Sequence, residues 1–466
     1  MKKNKNMWKR IGCGILAVIS ILSISNIEAR AESYWPEGPS ISTPSAIVME
    51  LNSGAVLYEK NSDEVNYPAS ITKIMTTMLA LEYCELDEVV TFSADAVFKN
   101  EGNTSHIARD LNEEMTMEEC LYAVMLESAN ECAYAVAEHV GAKLGGDYQT
   151  FVDLMNEKAK ELGCKNTHFN NANGLPDTEH WTSARDMALI SAEAYKNETF
   201  RIIIASKRYV IPPTNKHKDK TYLNNHHNMI HNYKTNEFLY EYCTGGKTGY
   251  TQAAKSTLVS FAEKDDITLV CVIMRNNGVS QYTETRSLFE YCFQNFMVYN
   301  ILENESSLID NHEYKGELNG YDSFVSIDKN ASIVLPVTAS LTDVKCSIIE
   351  KDGKGGVIAK LEYTYGDRTV GSADIFASGV SAGDNYLSDK LTQTDEENII
   401  KIKPLYIILG LCSIIAVVIV IILGKKLYDN FYVILHDLEI RKQRRQRFRP
   451  IEKKRRKRGR RDRMFR

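Results

Sequence analysis

The apolar positions change period several times along the chain, and each change marks an element. Residues 45–60 read as two strands around Asn52-Ser53-Gly54, a hairpin signal. From Ser70 to Cys84 the spacing turns helical, with Ile71, Ile74, Met75, Met78 and Leu79 recurring at three and four. The stretches 116–140, 148–163 and 184–197 carry the same helical period. The pattern returns to strands over 244–260 and 267–275, where Ile267 to Ile273 is an almost unbroken apolar run, and a helix is predicted over 281–299. Strands first, helices in the middle, then strands and a last helix imply an α+β fold, an antiparallel sheet flanked by helices. Past residue 305 the texture shifts to short β-like runs (Phe324–Ile327, Ser332–Pro336, Lys345–Ile349, Val357–Tyr363) separated by Gly, Asp and Asn. These predict a small all-β domain over 305–388, with a polar linker (389–404) after it.

Two apolar runs stand outside this scheme. Lys2, Lys3, Lys5, Lys9 and Arg10 precede an apolar stretch from Ile11 to Ser25, and Ala29-Arg30-Ala31 offers a small-x-small cleavage site, so residues 1–31 read as a signal peptide. Leu405 to Gly424 holds twenty residues and no charge, enough to span a hydrocarbon core of about 30 Å as a helix. Charge supports the pair. Residues 425–466 carry 18 Lys/Arg against 5 Asp/Glu and residues 1–31 carry 6 against 1, so a chain total of -5 leaves the intervening body strongly acidic. The positive-inside rule then predicts a body outside the cell, one transmembrane span and a basic cytoplasmic tail over 425–466. The tail's charge block, Arg441 to Arg466, is read first as a topology signal and a solvated tail, with the inner leaflet or a cytoplasmic protein as its candidate partner; no nucleic-acid partner is expected.

Eight cysteines remain in the expected exported body, yet Cys120, Cys132 and Cys271 fall in apolar helical or strand patterns, where buried free thiols are the simpler reading. There is no CxxC pair, which leaves zinc and redox motifs without support. His226, His227 and His231 sit among Asn224, Asn225, Asn228 and Asn232, a setting that reads as a loop near the site, and no metal or cofactor is expected. Arg185 and Asp186 open a helix and read as structural.

Three short motifs carry the chemistry. Ser70-Ile71-Thr72-Lys73 opens a helix, and a spacing of three puts hydroxyl and amine on one helical face. A neutral lysine can take the serine's proton, and the helix N-terminus adds positive potential where an oxyanion forms. Alone the motif is weak, because Ser326-Ile327-Asp328-Lys329 repeats the spacing in the β-rich segment. Ser128-Ala129-Asn130 interrupts an otherwise apolar helical stretch, a polar break that costs helix stability. Thr244-Gly245-Gly246-Lys247-Thr248-Gly249 begins a strand, with glycines that allow close approach of a ligand to the backbone.

Together, in this order and about sixty and a hundred and twenty residues apart, these are the three signature elements of the penicillin-recognising serine enzymes. The chain resembles the low-molecular-mass D-alanyl-D-alanine carboxypeptidases of the penicillin-binding-protein-5 type. The neighbouring runs Tyr67–Thr76, Thr167–Pro176, Ser183–Ala188 and Gly245–Thr251 agree, and the likeness covers about residues 40–300. It implies Ser70 as the acylated nucleophile, Lys73 as its general base and Ser128 as a proton relay to the leaving group. It implies Asn130, Lys247, Thr248, Gly249 and Tyr250 as substrate-binding residues, with Lys247 and Thr248 on the terminal carboxylate. The backbone N–H groups of Ser70 and Tyr250 would form the oxyanion hole. The implied substrate is the D-Ala-D-Ala end of a peptidoglycan stem peptide, and β-lactams are the implied inhibitors. Two features depart from the family: the middle motif is Ser-Ala-Asn where β-lactamases have Ser-Asp-Asn, and the anchor reads as a span where the best-known members carry an amphipathic helix.

Two other readings stay open at this point. A β-lactamase would share the fold and open the β-lactam ring quickly. A catalytically inactive peptidoglycan-binding scaffold has no need of the full motif set.

Overall fold

The computed structural model describes residues 35–99, 104–233, 235–304, 325–350 and 357–377. The expected signal peptide, linker, span and basic tail lie outside them. Among the described residues, no helix is long and apolar enough to cross a membrane.

The chain opens with strands β1 (Ser45–Glu50) and β2 (Val56–Lys60), the predicted hairpin. A short 3-10 turn, Ala69–Thr72, leads into helix α1 (Lys73–Tyr83). Strand β3 (Val89–Thr91), helix α2 (Ala94–Phe98) and strand β4 (Glu114–Thr116) come next. The predicted helical stretch 116–140 divides in two: α3 (Met117–Tyr122) widens into a π-turn over Ala123–Glu127, and α4 (Asn130–Lys143) starts afresh after Ser128. Helices α5 (Tyr148–Glu161), α6 (Ala184–Lys196) and α7 (Glu198–Ala205) precede the ribbon β5 (Arg208–Ile211) and β6 (Thr221–Asn224). Strands β7 (Cys243–Thr251), β8 (Lys255–Lys264) and β9 (Ile267–Asn276) lead to helix α8 (Ser280–Asn295).

Five of these strands form one antiparallel sheet, ordered β2-β1-β9-β8-β7, so β7 is an edge strand. Its inner strands are buried on both faces, which explains their near-continuous apolar runs. Ile47, Met49, Val259, Phe261, Val270 and Val272 face the helical layer of α1 and α3 to α7. The alternate residues Ala46, Val48, Leu258, Leu269, Cys271 and Ile273 face α8, as the two-residue period requires. Burying both faces at about 25 cal/mol per Å² makes this sheet the rigid element against which the site is built.

The predicted helix 281–299 stops at Asn295. Phe296 takes an extended backbone, and β10 (Phe296–Asn300) pairs with β12 (Ser332–Pro336). The aromatic and β-branched content of Phe296-Met-Val-Tyr suits a strand once a partner edge is present, and tertiary pairing overrides the helical period. A second antiparallel sheet runs β10-β12-β15-β14-β13, with β11 (Val325–Ile327) on β15; β13 is Lys345–Glu350, β14 Val357–Tyr365 and β15 Arg368–Ala377. Its apolar residues Ile333, Leu335, Leu361, Tyr363 and Ile375 share a core with α8. The eight cysteines in the described residues are free thiols.

Candidate active site

Three irregularities of the backbone build the site. The first precedes α1. Ala69 lies at φ +52°, a left-handed conformation that costs a non-glycine residue about 1 kcal/mol and that turns the chain sharply before Ser70. Thr257 on β8 donates from Oγ1 to Pro68 O at 2.8 Å, and Thr72 Oγ1 donates to Ala69 O at 2.9 Å, so the turn is tied at both ends. His180 extends this support: its Nδ1 accepts from the Asn170 N–H at 2.9 Å and its Nε2 meets Thr72 Oγ1 at 2.9 Å. Burial holds His180 neutral by pulling its pKa down to about 3.

The second is Ser128, at φ +61° between the π-turn and α4. The polar break seen in the sequence is therefore a real interruption that ends one helix and starts the next. Ser128 Oγ is buried and has no hydrogen-bond partner in the structure. Asn130, the first residue of α4, anchors its backbone N–H on Ser105 O at 2.9 Å and turns its side chain to Lys73. The third is the loop before α6. Gly174 lies at φ +84°, and a Cβ there would meet Ala69 O at 1.9 Å, so only glycine lets this loop lie against the Ser70 turn.

Lys73 is the point where the three meet. Its side chain is fully buried, and Nζ lies 3.2 Å from Ser70 Oγ, 2.7 Å from Asn130 Oδ1 and 2.5 Å from the carbonyl of Asn173. The last two can only accept. Burial pulls the amine's pKa well below the usual lysine value, and the like charge of Lys247 pushes it further; Glu131 and the Cys132 thiol oppose this.

On β7, Lys247 is buried and donates to Thr248 O at 2.8 Å. Burial brings its pKa down to about 7, and the Glu127 carboxylate works in the other direction. Ser70, Ser128, Asn130, Thr248, Gly249 and Tyr250 line one cavity of about 860 Å³. Lys73 and Lys247 do not line it and lie below its surface. Of the candidate residues, Tyr250 is the most exposed. Gly249 is tight: a Cβ there would stand 2.9 Å from the Ser70 nitrogen.

Sequence reasoning misses several contributors. Asn173 and Gly174 sit inside the family-like run Thr167–Pro176, but no side-chain pattern reveals a contact made by a carbonyl. Glu127 holds His226 at 2.9 Å through one oxygen and the Asn224 N–H through the other, and His226 lines the cavity. His227 turns away to Ser260 Oγ at 2.9 Å and His231 to Asn225 O at 3.1 Å, so the three histidines do not converge. Asp186 accepts from the N–H groups of Lys165 and Asn166, and Arg185 pairs with Glu59 and Asp63 outside the cavity.

A serine and a buried lysine at the start of a helix, faced by an edge strand of a five-stranded antiparallel sheet, make up the fold of the penicillin-recognising serine hydrolases. Penicillin-binding protein 5 from Haemophilus influenzae shares that fold, with a TM-score of 0.55, 24% identity and coverage of 74% of this chain and 98% of its own. The chain belongs to the D-alanyl-D-alanine carboxypeptidase family Peptidase S11, whose model matches residues 32–278. It is 31% identical over 324 residues to the D-alanyl-D-alanine carboxypeptidase DacF of Bacillus subtilis (68% of this chain, 78% of the relative). It is 28% identical over 375 residues to DacA of Haemophilus influenzae (76% and 89%). The activity of the chain is accordingly that of a serine-type D-Ala-D-Ala carboxypeptidase, a penicillin-binding hydrolase of the cell wall.

Proposed function

We propose that the reaction runs through an acyl-enzyme on Ser70, with Lys73 in its neutral form as the base. The observation that carries this is the set of contacts around Lys73 Nζ. A neutral amine has two N–H bonds and one lone pair. Asn130 Oδ1 and Asn173 O, as pure acceptors, take the two N–H bonds, and the lone pair is left to face Ser70 Oγ at 3.2 Å. Ser70 then gives its proton to Lys73 as Oγ attacks the carbonyl of the penultimate D-alanine. The carbonyl's oxyanion is met by the N–H groups of Ser70 and Tyr250. Ser128 passes the proton to the departing amine, the role that suits a buried hydroxyl with no other partner. D-Alanine leaves, and water hydrolyses the ester to return a stem peptide one residue shorter. A β-lactam stops at the ester.

Lys247 and Thr248 bind the terminal carboxylate. An incoming anion favours the charged amine, so substrate binding raises the pKa that burial had lowered to about 7. The domain division belongs to the same proposal: a catalytic region over 40–300, a β-rich region over 305–388 and a linker over 389–404. So does the topology, with a signal peptide over 1–31, a span at 405–424 and the tail at 425–466 inside the cell.

The test is mass spectrometry after incubation with a fluorescent penicillin, together with D-alanine release from a D-Ala-D-Ala peptide. An adduct on the peptide containing Ser70, with both signals lost in Ser70→Ala, supports the reading; an adduct elsewhere, or none, overturns it. Topology is tested separately by protease shaving of intact cells. Cleavage confined to the body, with the tail protected, supports it, and release of the intact chain by carbonate washing refutes the span.

A further inference from the structure

The helices that start at the site end at a second cluster. Cys84 comes directly after the last residue of α1, and its N–H still donates to Ala80 O at 2.9 Å. His139 lies in the last turns of α4. Between them stands Glu88, from the segment leading into β3. One donor atom from each of Cys84, Glu88 and His139 lies within 4.8 Å of the other two. Glu88 Oε2 is 2.9 Å from His139 Nε2. Its other oxygen is held by Lys143 Nζ and by the Glu85 N–H at 2.7 Å. The carboxylate is thus fixed from behind, with one oxygen turned toward the imidazole and the thiol.

Thiolate, imidazole and carboxylate are the donor set of a zinc site. Donors at 2.0–2.3 Å in tetrahedral array stand about 3.5 Å apart, so closing this set takes side-chain movements of about 1 Å. Lys143 and the Glu85 N–H already supply the outer hydrogen bonds that orient a ligating carboxylate. Glu88 and His139 are half-buried and open the group to solvent, whereas the Cys84 thiol is buried. The described residues hold one other such group, Asp110, Glu113 and His217, but it has no thiol, and its Glu113 is fully buried against Arg109 at 2.9 Å. Lys143 touches Glu88 Oε1 and leaves Oε2 to His139.

The geometry points to a zinc site formed by Cys84 Sγ, Glu88 Oε2 and His139 Nε2, with water as fourth ligand, that ties the far end of α1 to the far end of α4. Binding breaks the Sγ–H bond, forms Sγ–Zn and releases the proton to solvent. Cys84 is eleven residues past Lys73 and His139 nine past Asn130. At 1.5 Å per residue the ion sits roughly 15 Å from the catalytic groups. It takes no part in the chemistry; it braces the two helices whose first residues meet at Lys73 Nζ.

The test uses the full chain purified in detergent. Titration with Co²⁺ is expected to give a thiolate-to-cobalt charge-transfer band and tetrahedral d–d bands at one equivalent. Cys84→Ser is expected to abolish the charge-transfer band, and His139→Gln to weaken Co²⁺ binding at least tenfold. Zn²⁺ is expected to displace Co²⁺ and to raise Tm in the unmodified chain but in neither variant. Melting of the metal-free variants shows whether each is folded. A charge-transfer band that survives Cys84→Ser, or no band and no Zn²⁺-dependent rise in Tm in the unmodified chain, overturns the site. Neither outcome bears on acylation of Ser70, so failure here is distinct from failure of the catalytic reading.

Discussion

Asn130 offers the sharpest test of how Lys73 is kept ready. Its Oδ1 is one of two carbonyl-type oxygens on a fully buried amine, at 2.7 Å. In Asn130→Ala the amine loses that acceptor. One N–H is then unpaired, or the amine turns so that its lone pair no longer faces Ser70. Removing one partner of a buried hydrogen bond costs about 1–3 kcal/mol. If the loss falls on the transition state, acylation slows by roughly 5- to 150-fold, at about 1.4 kcal/mol per tenfold. The backbone bond from Asn130 N to Ser105 O is untouched, so α4 keeps its start and stability should change little. Asn130→Asp has the same shape and the opposite consequence: a carboxylate beside the amine favours the ammonium, so the acidic limb of the acylation profile should move to higher pH. The assay is the second-order rate of labelling by a fluorescent penicillin from pH 5 to 10, with folding monitored by circular dichroism. Acylation of Asn130→Ala within twofold of the unmodified chain would refute the lone-pair argument. So would an unshifted pH profile for Asn130→Asp.

Other outcomes rest on single observations. Ser128→Ala removes a hydroxyl that makes no hydrogen bond, so Tm should stay within a few degrees while acylation falls by about 10²–10⁴-fold, as for loss of a proton-transfer group; a parallel loss of Tm would show a structural role. Gly174 and Gly145 share φ +84°, but only Gly174 is crowded, so Gly145→Ala should cost about 1 kcal/mol in a urea melt and Gly174→Ala distinctly more, with loss of acylation; equal costs would contradict the close packing. Burial lowers the pKa of His227 from 6.5 to about 4, so the unfolded chain binds the extra proton in that interval. Stability present above pH 6.5 is therefore lost as pH falls toward 4, by about 3 kcal/mol; His227→Gln should flatten this part of the curve of Tm against pH, and an unchanged curve would place the acid sensitivity elsewhere.

The motifs that carry chemistry were legible because their residue types are unusual where they stand. A polar Ser-Ala-Asn inside an apolar helical stretch violates the period, and the structure places a left-handed residue there. The central sheet was legible for the opposite reason: after Thr268, the run Leu269 to Ile273 has no polar position, as a strand covered on both faces requires. What escaped was interaction through the backbone. Asn173 reaches Lys73 with its carbonyl, which every residue has, so no side-chain pattern marks it. The end of α8 also escaped, because Phe296–Asn300 suits either a helix or a strand and the choice is made by Ser332–Pro336, some thirty-five residues on. Glu127 and His226 lie a hundred residues apart, and nothing local to either announces the other.

The two lysines illustrate how one residue type serves two ends of the same reaction. Both are fully buried, and desolvation alone would push both toward the neutral form. Their neighbours separate them. Lys247 has the Glu127 carboxylate to support its charge, whereas Lys73 has the charge of Lys247 to oppose its own, with Glu131 and Cys132 working in the other direction. In the proposed mechanism the proton leaves Lys73, beside Ser70, and the charge stays on β7 where the substrate's carboxylate would be held. On that proposal, arrival of the carboxylate would offset the charge on Lys247 and weaken its push on Lys73, making the base more basic once substrate is in place. The glycines and left-handed residues around this pair are the local strain that such a placement requires. Ala69, Ser128 and Gly174 all leave regular backbone within reach of one buried nitrogen. Regular helices and strands set the distance between α1, α4 and β7, and the irregular residues turn each of them the last few ångströms toward Lys73.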